Sequence, residues 1–152
     1  MHALRERFGF PGMRVLQFAF DSDDRLNPHR PHNFSRDSVV YTGTHDNDTT
    51  IGWFEGGMNA VGAEDMEKQR QRVTKYLGAA PREINWAFIR LALASVAQMA
   101  VVPLQDVLGL GSEARMNTPG TTRGNWEWRF TSDMLSDAIA CRLADLTETY
   151  DR

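Results

Sequence analysis

Ser38–Thr50 reads SVVYTGTHDNDTT: a short β-branched and aromatic run passes without a break into nine polar residues. Ser38–Tyr41 has the character of a buried strand, and the polar stretch Thr42–Thr50 leaves its carboxyl end. Two other runs share this design. Met13–Phe20 (MRVLQFAF) lies between Pro11-Gly12 and the acidic patch Asp21-Ser22-Asp23-Asp24, and Met99–Leu104 (MAVVPL) carries Pro103 near its end. The spacing predicts a strand at each. Asp48 or Thr49 suits the cap of a short helix through Ile51, Trp53 and Phe54, closed by Gly56-Gly57. A charged helix over Ala63–Leu77 follows, with Met66, Val73, Tyr76 and Leu77 on its apolar face and Gly78 stopping it. Pro81 suits the first turn of an apolar helix over Arg82–Ala97, with Ile84, Phe88, Leu91 and Val96 on one face. Thr131 or Ser132 suits the cap of a last helix whose inner face is Leu135, Ile139, Leu143 and Leu146. The Pro- and Asn-rich segment Arg25–Asp37 and the glycine-punctuated segment Gly109–Trp126 read as loops.

The order is strand, loop, strand, helices, strand, long loop, helix. Strands separated by helices imply parallel crossover units, hence an α/β fold. Three parallel strands need neighbours that cover both faces of their sheet, so the pattern suggests a piece of a larger architecture. A complete (β/α)₈ barrel takes about 250 residues, more than the 152 present. A hydrophobic fraction of 41% with 24% charged residues is ordinary globular composition and sufficient for a core. The formal net charge of −3 gives no bulk attraction to nucleic acid or an anionic membrane. No apolar run approaches the roughly 20 residues of a membrane span. MHALRERFGF lacks the apolar stretch of a signal peptide, and the single Cys141 excludes an internal disulfide framework. A soluble cytoplasmic protein is the expectation.

Chemistry in parallel α/β folds gathers at the carboxyl ends of strands. Three loops qualify: Asp21–Asn33, Thr42–Thr50 and Asp106–Trp126. His45-Asp46-Asn47-Asp48 is the densest polar cluster; it suits sugar hydroxyls, a metal or proton transfer, against the plainer reading of a capping Asp with solvated neighbours. His29-Arg30-Pro31-His32 has a metal-ligand spacing, but prolines exclude a helix and no Cys accompanies it, which favours a structural or substrate-facing loop. Asp46-Asn47-Asp48-Thr49 also fits the D-x-D-x-T pattern of phosphate-transferring haloacid-dehalogenase-like enzymes, with the first Asp set too far from its strand and no partner lysine. Trp53, Trp126 and Trp128 offer either sugar-stacking faces or core packing. Lys68–Lys75 reads as a solvated helix face, and Cys141 as a small packing residue.

Several segments in order, PGMRVLQFAF, NPHRPHNF, VVYTGTHDNDTTIGWF, ASVAQMAVVPLQDVLGLG, ARMNTPGT and GNWEWR, resemble the 4-α-glucanotransferases (amylomaltases, or disproportionating enzymes) of glycoside hydrolase family 77. The resemblance runs from Phe8 to the last helix and implies part of a (β/α)₈ TIM barrel, strands six to eight with their helices, with residues 1–152 as one C-terminal portion and no second domain. The implied reaction passes an α-1,4-glucan segment to the 4-hydroxyl of a glucose or glucan acceptor by a retaining double displacement, with no cofactor and no metal. Asp46 is the implied transition-state stabiliser and His45 its neighbour. Asn117, Asp21 and Trp126 are further sugar-ligand candidates. The family's nucleophilic Asp and acid/base Glu belong to strands four and five, upstream of the Phe8-Gly9-Phe10-Pro11-Gly12-Met13 stretch. The chain by itself is therefore expected to be inactive and to be marginally stable or to associate, its partners being α-1,4-glucans, glucose and the remaining barrel. A non-catalytic remnant that binds maltodextrin or a partner chain is the alternative; whether Met1 is the true start is open at this level.

Overall fold

The computed structural model describes residues 2–56 and 62–152; Gly57, expected to help close the short helix, lies outside them. The chain runs α1 (His2–Arg7), β1 (Gly12–Val15), a 3₁₀ segment (Leu16–Phe20), a 3₁₀ turn (Pro31–Asn33), β2 (Ser38–Tyr41), α2 (Thr50–Glu55), α3 (Ala63–Leu77), α4 (Ile84–Ala94), β3 (Met99–Val101), α5 (Leu104–Leu108), two 3₁₀ turns (Ser112–Ala114 and Ser132–Met134) and α6 (Asp137–Thr149). The three strands form one parallel sheet in the order β1-β2-β3, with Val15 opposite Tyr41 and Tyr41 opposite Val101. The α/β class and the parallel crossovers expected from the sequence are therefore present.

Two cores pack the helices together, and α4 belongs to both. Phe88 and Ala92 of α4 pack with Leu16, Phe20, Val40 and Val73, whereas Trp86, Ile89 and Leu93 pack with Val107 of α5 and Leu146 of α6. That double duty is why α4 is apolar nearly all round, as a helix buried on two sides must be. Side chains on a strand alternate between faces. Val40 and its neighbour Ala100 face the helices. On the opposite face Met13 and Met99 are each 55% exposed, and Val101 is exposed beside them. A parallel sheet is normally covered on both sides; among the described residues this one is covered on one.

Several boundaries differ from the sequence reading. The first apolar run is a strand only to Val15 and then coils as a 3₁₀ segment, with Leu16, Gln17, Ala19 and Phe20 buried. A continuous apolar run carries no period that separates strand from helix. The helix expected over 82–97 is Ile84–Ala94. Pro81 stays outside it because Glu83 takes the extended N-cap conformation, and Ser95, also extended, ends it, which leaves Val96 exposed. The third strand ends at Val101, and Pro103 instead stands at the N-cap of α5, a helix absent from the sequence reading. Thr131 caps a 3₁₀ turn, while the last helix starts after Ser136, whose side chain accepts from the Ile139 N–H. Leu135 therefore precedes that helix and is exposed. Cys141 is exposed rather than packed. It lies about 200° around the helix from Ile139 at 100° per residue, and Ile139, Leu143 and Leu146 make the contact with α4. Helix α3 has the bounds read from the sequence and buries Val73.

Candidate active site at the strand ends

The loop after β2 is anchored at both ends by one buried carboxylate. Asp106 on α5 is 2% exposed. Its Oδ2 accepts from Thr42 Oγ1 at 2.5 Å and from Thr50 Oγ1 at 2.8 Å, and its Oδ1 accepts from the Thr50 N–H at 2.7 Å. Thr42 closes β2 and Thr50 opens α2, so the segment between them is a loop tied shut at its base. Asn85 Nδ2 donates to the Asp106 carbonyl at 2.8 Å, which joins α4 to the same knot. Burial raises the Asp106 carboxyl above its ordinary range and the Asp48 charge adds to this; the Thr42 and Thr50 hydrogen bonds pull the other way. Beneath the loop, Gln17 is 1% exposed and its Nε2 donates to the Asp48 carbonyl at 2.8 Å. Gly43 passes so close to it that a Cβ there would stand 2.7 Å from Gln17 Nε2.

Two carboxylates of the loop have separate duties. Asp48 is structural: its Oδ2 accepts from Ser112 Oγ at 2.7 Å and its Oδ1 from the Thr49 N–H at 2.8 Å. Thr49, not Asp48, caps α2, its Oγ1 accepting from the Gly52 N–H at 3.0 Å. Asp46 instead stands at the tip with about half of its side chain exposed. Its Oδ1 accepts from Asn117 Nδ2 at 2.6 Å and lies 3.3 Å from His45 Nε2. The Asp46 carbonyl accepts from Arg115 Nη2 at 2.7 Å. The Trp126 ring lies 5.1 Å from that of His45. Trp126 holds a left-handed backbone, φ 63°, which is strained for a bulky side chain. Its N–H donates to the Met116 carbonyl at 2.7 Å, and the Asn125 side chain ties off the turn before it.

His45, Asp46, Asn117 and Trp126 are thus brought together from two strand-end loops. A cavity of about 190 Å³ adjoins His45 and Trp126 and is lined also by Asp48, Gln105, Asp106 and Arg115. A broader cleft of about 800 Å³ opens along the uncovered sheet face, lined by Met13, Phe18, Tyr41 and Val101 together with His45 and Asp46. Asp21 is placed apart from both. Its Oδ1 accepts from Gln69 of α3 at 3.2 Å, and desolvation there raises its carboxyl above the ordinary range against the pull of Gln69 and Arg72.

The remaining sequence candidates have structural surroundings. Trp53 packs against Phe20 and Phe88 in the core, and Trp128 lies beside Phe130. His29 Nδ1 accepts from the Val15 N–H at 3.0 Å and is therefore unprotonated there; burial, aided by Arg14, lowers its pKa. His32 Nδ1 lies 3.1 Å from the Tyr76 hydroxyl. Among the described residues no group of three His, Cys, Asp or Glu side chains could hold a metal ion, and no helix is long and apolar enough to cross a membrane.

The sequence reading missed Gln17, Asp106 and Arg115. A glutamine inside an apolar run was the available signal for Gln17, because an amide buried there must find partners. Asp106 lies two residues after the third strand-like run, in a loop already marked for chemistry. Arg115 lies two residues before Asn117 in the ARMNTPGT segment.

The geometry defines an α/β protein with a carboxylate-bearing, aromatic-flanked cleft at the carboxyl ends of its parallel strands. A profile of the 4-alpha-glucanotransferase family, glycoside hydrolase family 77, matches residues 1–135, and the chain belongs to that family. The 4-alpha-glucanotransferase of Synechocystis is 54% identical over all of this chain and 29% of its own length. That of Thermus thermophilus is 46% identical over all of this chain and 30% of its own length. The amylomaltase of Streptococcus agalactiae, solved in complex with acarbose, superposes with a TM-score of 0.88 at 33% identity, over 99% of this chain and 29% of that one. The chain thus spans less than a third of the length of each of these relatives.

Proposed function

We propose that this chain supplies one wall of the glucan cleft and the transition-state-stabilising carboxylate of a 4-α-glucanotransferase site. It does so as strands six to eight of a (β/α)₈ barrel, with residues 1–152 forming one unit of that barrel. The observation that carries the reading is the state of Asp46. His45 and Asn117 both engage Oδ1, and among the described residues Oδ2 has no protein hydrogen-bond partner. A carboxylate fixed through one oxygen presents the other to a ligand donor. Next to the half-exposed ring of Trp126 the fitting donor is a sugar hydroxyl, since aromatic faces suit the apolar face of a pyranose.

In a retaining glycosidase-type reaction a nucleophilic carboxylate attacks the anomeric carbon while a second carboxyl protonates the leaving oxygen, the two about 5–5.5 Å apart. Asp46 does neither. It accepts a hydrogen bond from a hydroxyl of the distorted sugar, and that bond strengthens as positive charge develops on the ring, so it lowers the barrier selectively. The nucleophile and the acid/base belong to the remainder of the barrel, which the uncovered apolar sheet face suits as a partner. The substrates in this reading are α-1,4-glucans and glucose. Asp21, held against α3, has no sugar contact in it.

Titration calorimetry with maltoheptaose and acarbose tests the reading. The chain is expected to bind, Asp46→Asn to weaken binding by about tenfold for one charged hydrogen bond, and neither to transfer glucan. Equal binding by both forms would refute the role of Asp46, and transfer by the pure chain would refute the need for further carboxylates.

A further inference from the structure

Asp46 is gripped at both of its ends by one neighbouring loop. Arg115 Nη2 donates to the Asp46 carbonyl at 2.7 Å, and Arg115 Nε donates to the Asn117 carbonyl at 2.8 Å. Asn117 Nδ2 in turn donates to Asp46 Oδ1 at 2.6 Å. These three bonds close a ring from guanidinium to Asp46 backbone, Asp46 carboxylate, Asn117 amide, Asn117 backbone and back. Apart from this ring, Asp46 has two longer contacts: its own N–H reaches Thr44 Oγ1 at 3.3 Å, and its Oδ1 lies 3.3 Å from His45 Nε2. Its side chain is half exposed, so packing does not select its rotamer, and the shortest bonds that do are those of the ring.

Resting on the reading of Asp46 as a sugar ligand, we propose that Arg115 is the positioning residue of the site: its planar fork joins the loop after β2 to the loop after α5 and thereby sets the direction of the Asp46 carboxylate. The chemistry favours arginine here. Two divergent carbonyl oxygens need two donors in a fixed plane, which a guanidinium supplies and a single ammonium does not. The two bonds that Arg115 makes lie at the half-exposed tip of the loop, so removing the guanidinium should cost the fold little while freeing Asp46.

Nuclear magnetic resonance on the isotope-labelled chain separates these roles. In the wild type the Asn117 side-chain amide should resonate downfield and be protected from exchange, as should the Arg115 Nε–H. In Arg115→Met the Asn117 amide is expected to move to the position of a free amide and to lose about tenfold of its protection, one hydrogen bond's worth, while the urea midpoint stays near that of the wild type. Arg115→Lys keeps the charge and supplies one bond, so it should fall between the two. An Asn117 amide unchanged in both variants would overturn the proposal, as would wild-type Asn117 and Arg115 Nε signals that are both unprotected; this last measurement needs no variant to fold. Maltoheptaose added to the same samples tests the underlying reading apart from the brace. A wild-type chain whose Asn117 signal is protected but whose His45 and Asp46 signals ignore the sugar keeps the brace and loses the sugar assignment. If the wild type binds, Arg115→Met should weaken the sugar about tenfold, one hydrogen bond's worth.

Discussion

Replacing Asp106 by alanine is the sharpest test of how the loop is built. Its carboxylate accepts three hydrogen bonds, from Thr42 Oγ1, Thr50 Oγ1 and the Thr50 N–H. Thr42 and Thr50 are fully buried, so their donors are shielded from bulk water. Each buried donor left unpaired costs about 1–3 kcal/mol, which bounds the loss at roughly 3–9 kcal/mol. The lower end is the better guide, because the two hydroxyls can rotate in search of other acceptors and the buried charge is removed at the same time. Only the Thr50 N–H, fixed by the backbone, cannot adapt. About 3 kcal/mol, divided by a urea slope of about 1–3 kcal/mol per molar, lowers the midpoint by roughly 1–3 M. Asp106→Asn retains one acceptor and should lose about 1 kcal/mol. Equilibrium urea unfolding followed by circular dichroism measures both, and an alanine variant within about 0.5 kcal/mol of the wild type would refute the anchoring argument. The pH dependence has a definite sign. Burial raises the native Asp106 carboxyl above its ordinary value of 3.8, so the native state holds that proton more tightly than the unfolded chain. The linked stabilisation is full below that ordinary value and is lost as the pH rises through the raised native value. Asp106→Asn should remove this component of the stability-against-pH curve.

His29 gives the opposite dependence. Its pKa is lowered from 6.5, by burial first and Arg14 second, so its contribution is present above that value and is lost as the pH falls through the native one; His29→Leu should flatten thermal melts between pH 8 and 5 relative to the wild type. Trp126→Gly relieves a left-handed backbone that costs a bulky residue roughly 1–2 kcal/mol, while the ring it removes is 54% exposed. The variant should be as stable as the wild type or more so in urea, yet bind maltoheptaose about tenfold more weakly; a large destabilisation would show the ring to be a packing element instead. Gly52→Ala places a Cβ against Ser112 Oγ and 2.6 Å from Asp48 Oδ1, so it should cost roughly 1–3 kcal/mol by overpacking. Ser112→Ala in the same background should recover part of that loss, and no recovery would place the clash elsewhere.

The parts of the fold legible in the sequence were those set by short-range rules. Helix α3 has a charged face, one apolar stripe and a stopping Gly78 in left-handed conformation, so its bounds follow from periodicity and glycine chemistry. Strand β2 is legible because SVVY is bounded on both sides by polar residues. The run MRVLQFAF is only half legible, since uniform burial of Leu16, Gln17, Ala19 and Phe20 erases the alternation that marks a strand. Helix α5 has five residues, too few to show a period, and Pro103, placed by the pattern near the end of a strand, stands at the N-cap of that helix. At the site, His45, Asp46 and Asn117 could be named from motifs, but what binds Asn117 to Asp46 is a contact between residues 71 apart in the chain. Asp21 shows the reverse: a plausible residue in a plausible loop, turned toward α3 by partners that sequence spacing does not reveal.

The loop is fixed by different chemistry at its base and at its tip, and the difference has a functional logic. At the base, Asp106 and Gln17 are almost wholly buried, so the path of the chain from Thr42 to Thr50 is set by groups shielded from bulk water. At the tip, Asp46 and His45 are half exposed and are held by Asn117 and Arg115 from the neighbouring loop. A buried knot in low dielectric resists disturbance, whereas hydrogen bonds open to water contribute less to stability and can be exchanged for a ligand's. The backbone beneath Asp46 is therefore rigid, and its carboxylate is oriented by groups that a sugar can contact. Damage at the base should lower stability and binding together. Damage at the tip should lower binding alone. The Asp106 and Arg115 variants measured side by side distinguish the two, because the reasoning fails if both lose stability to the same degree.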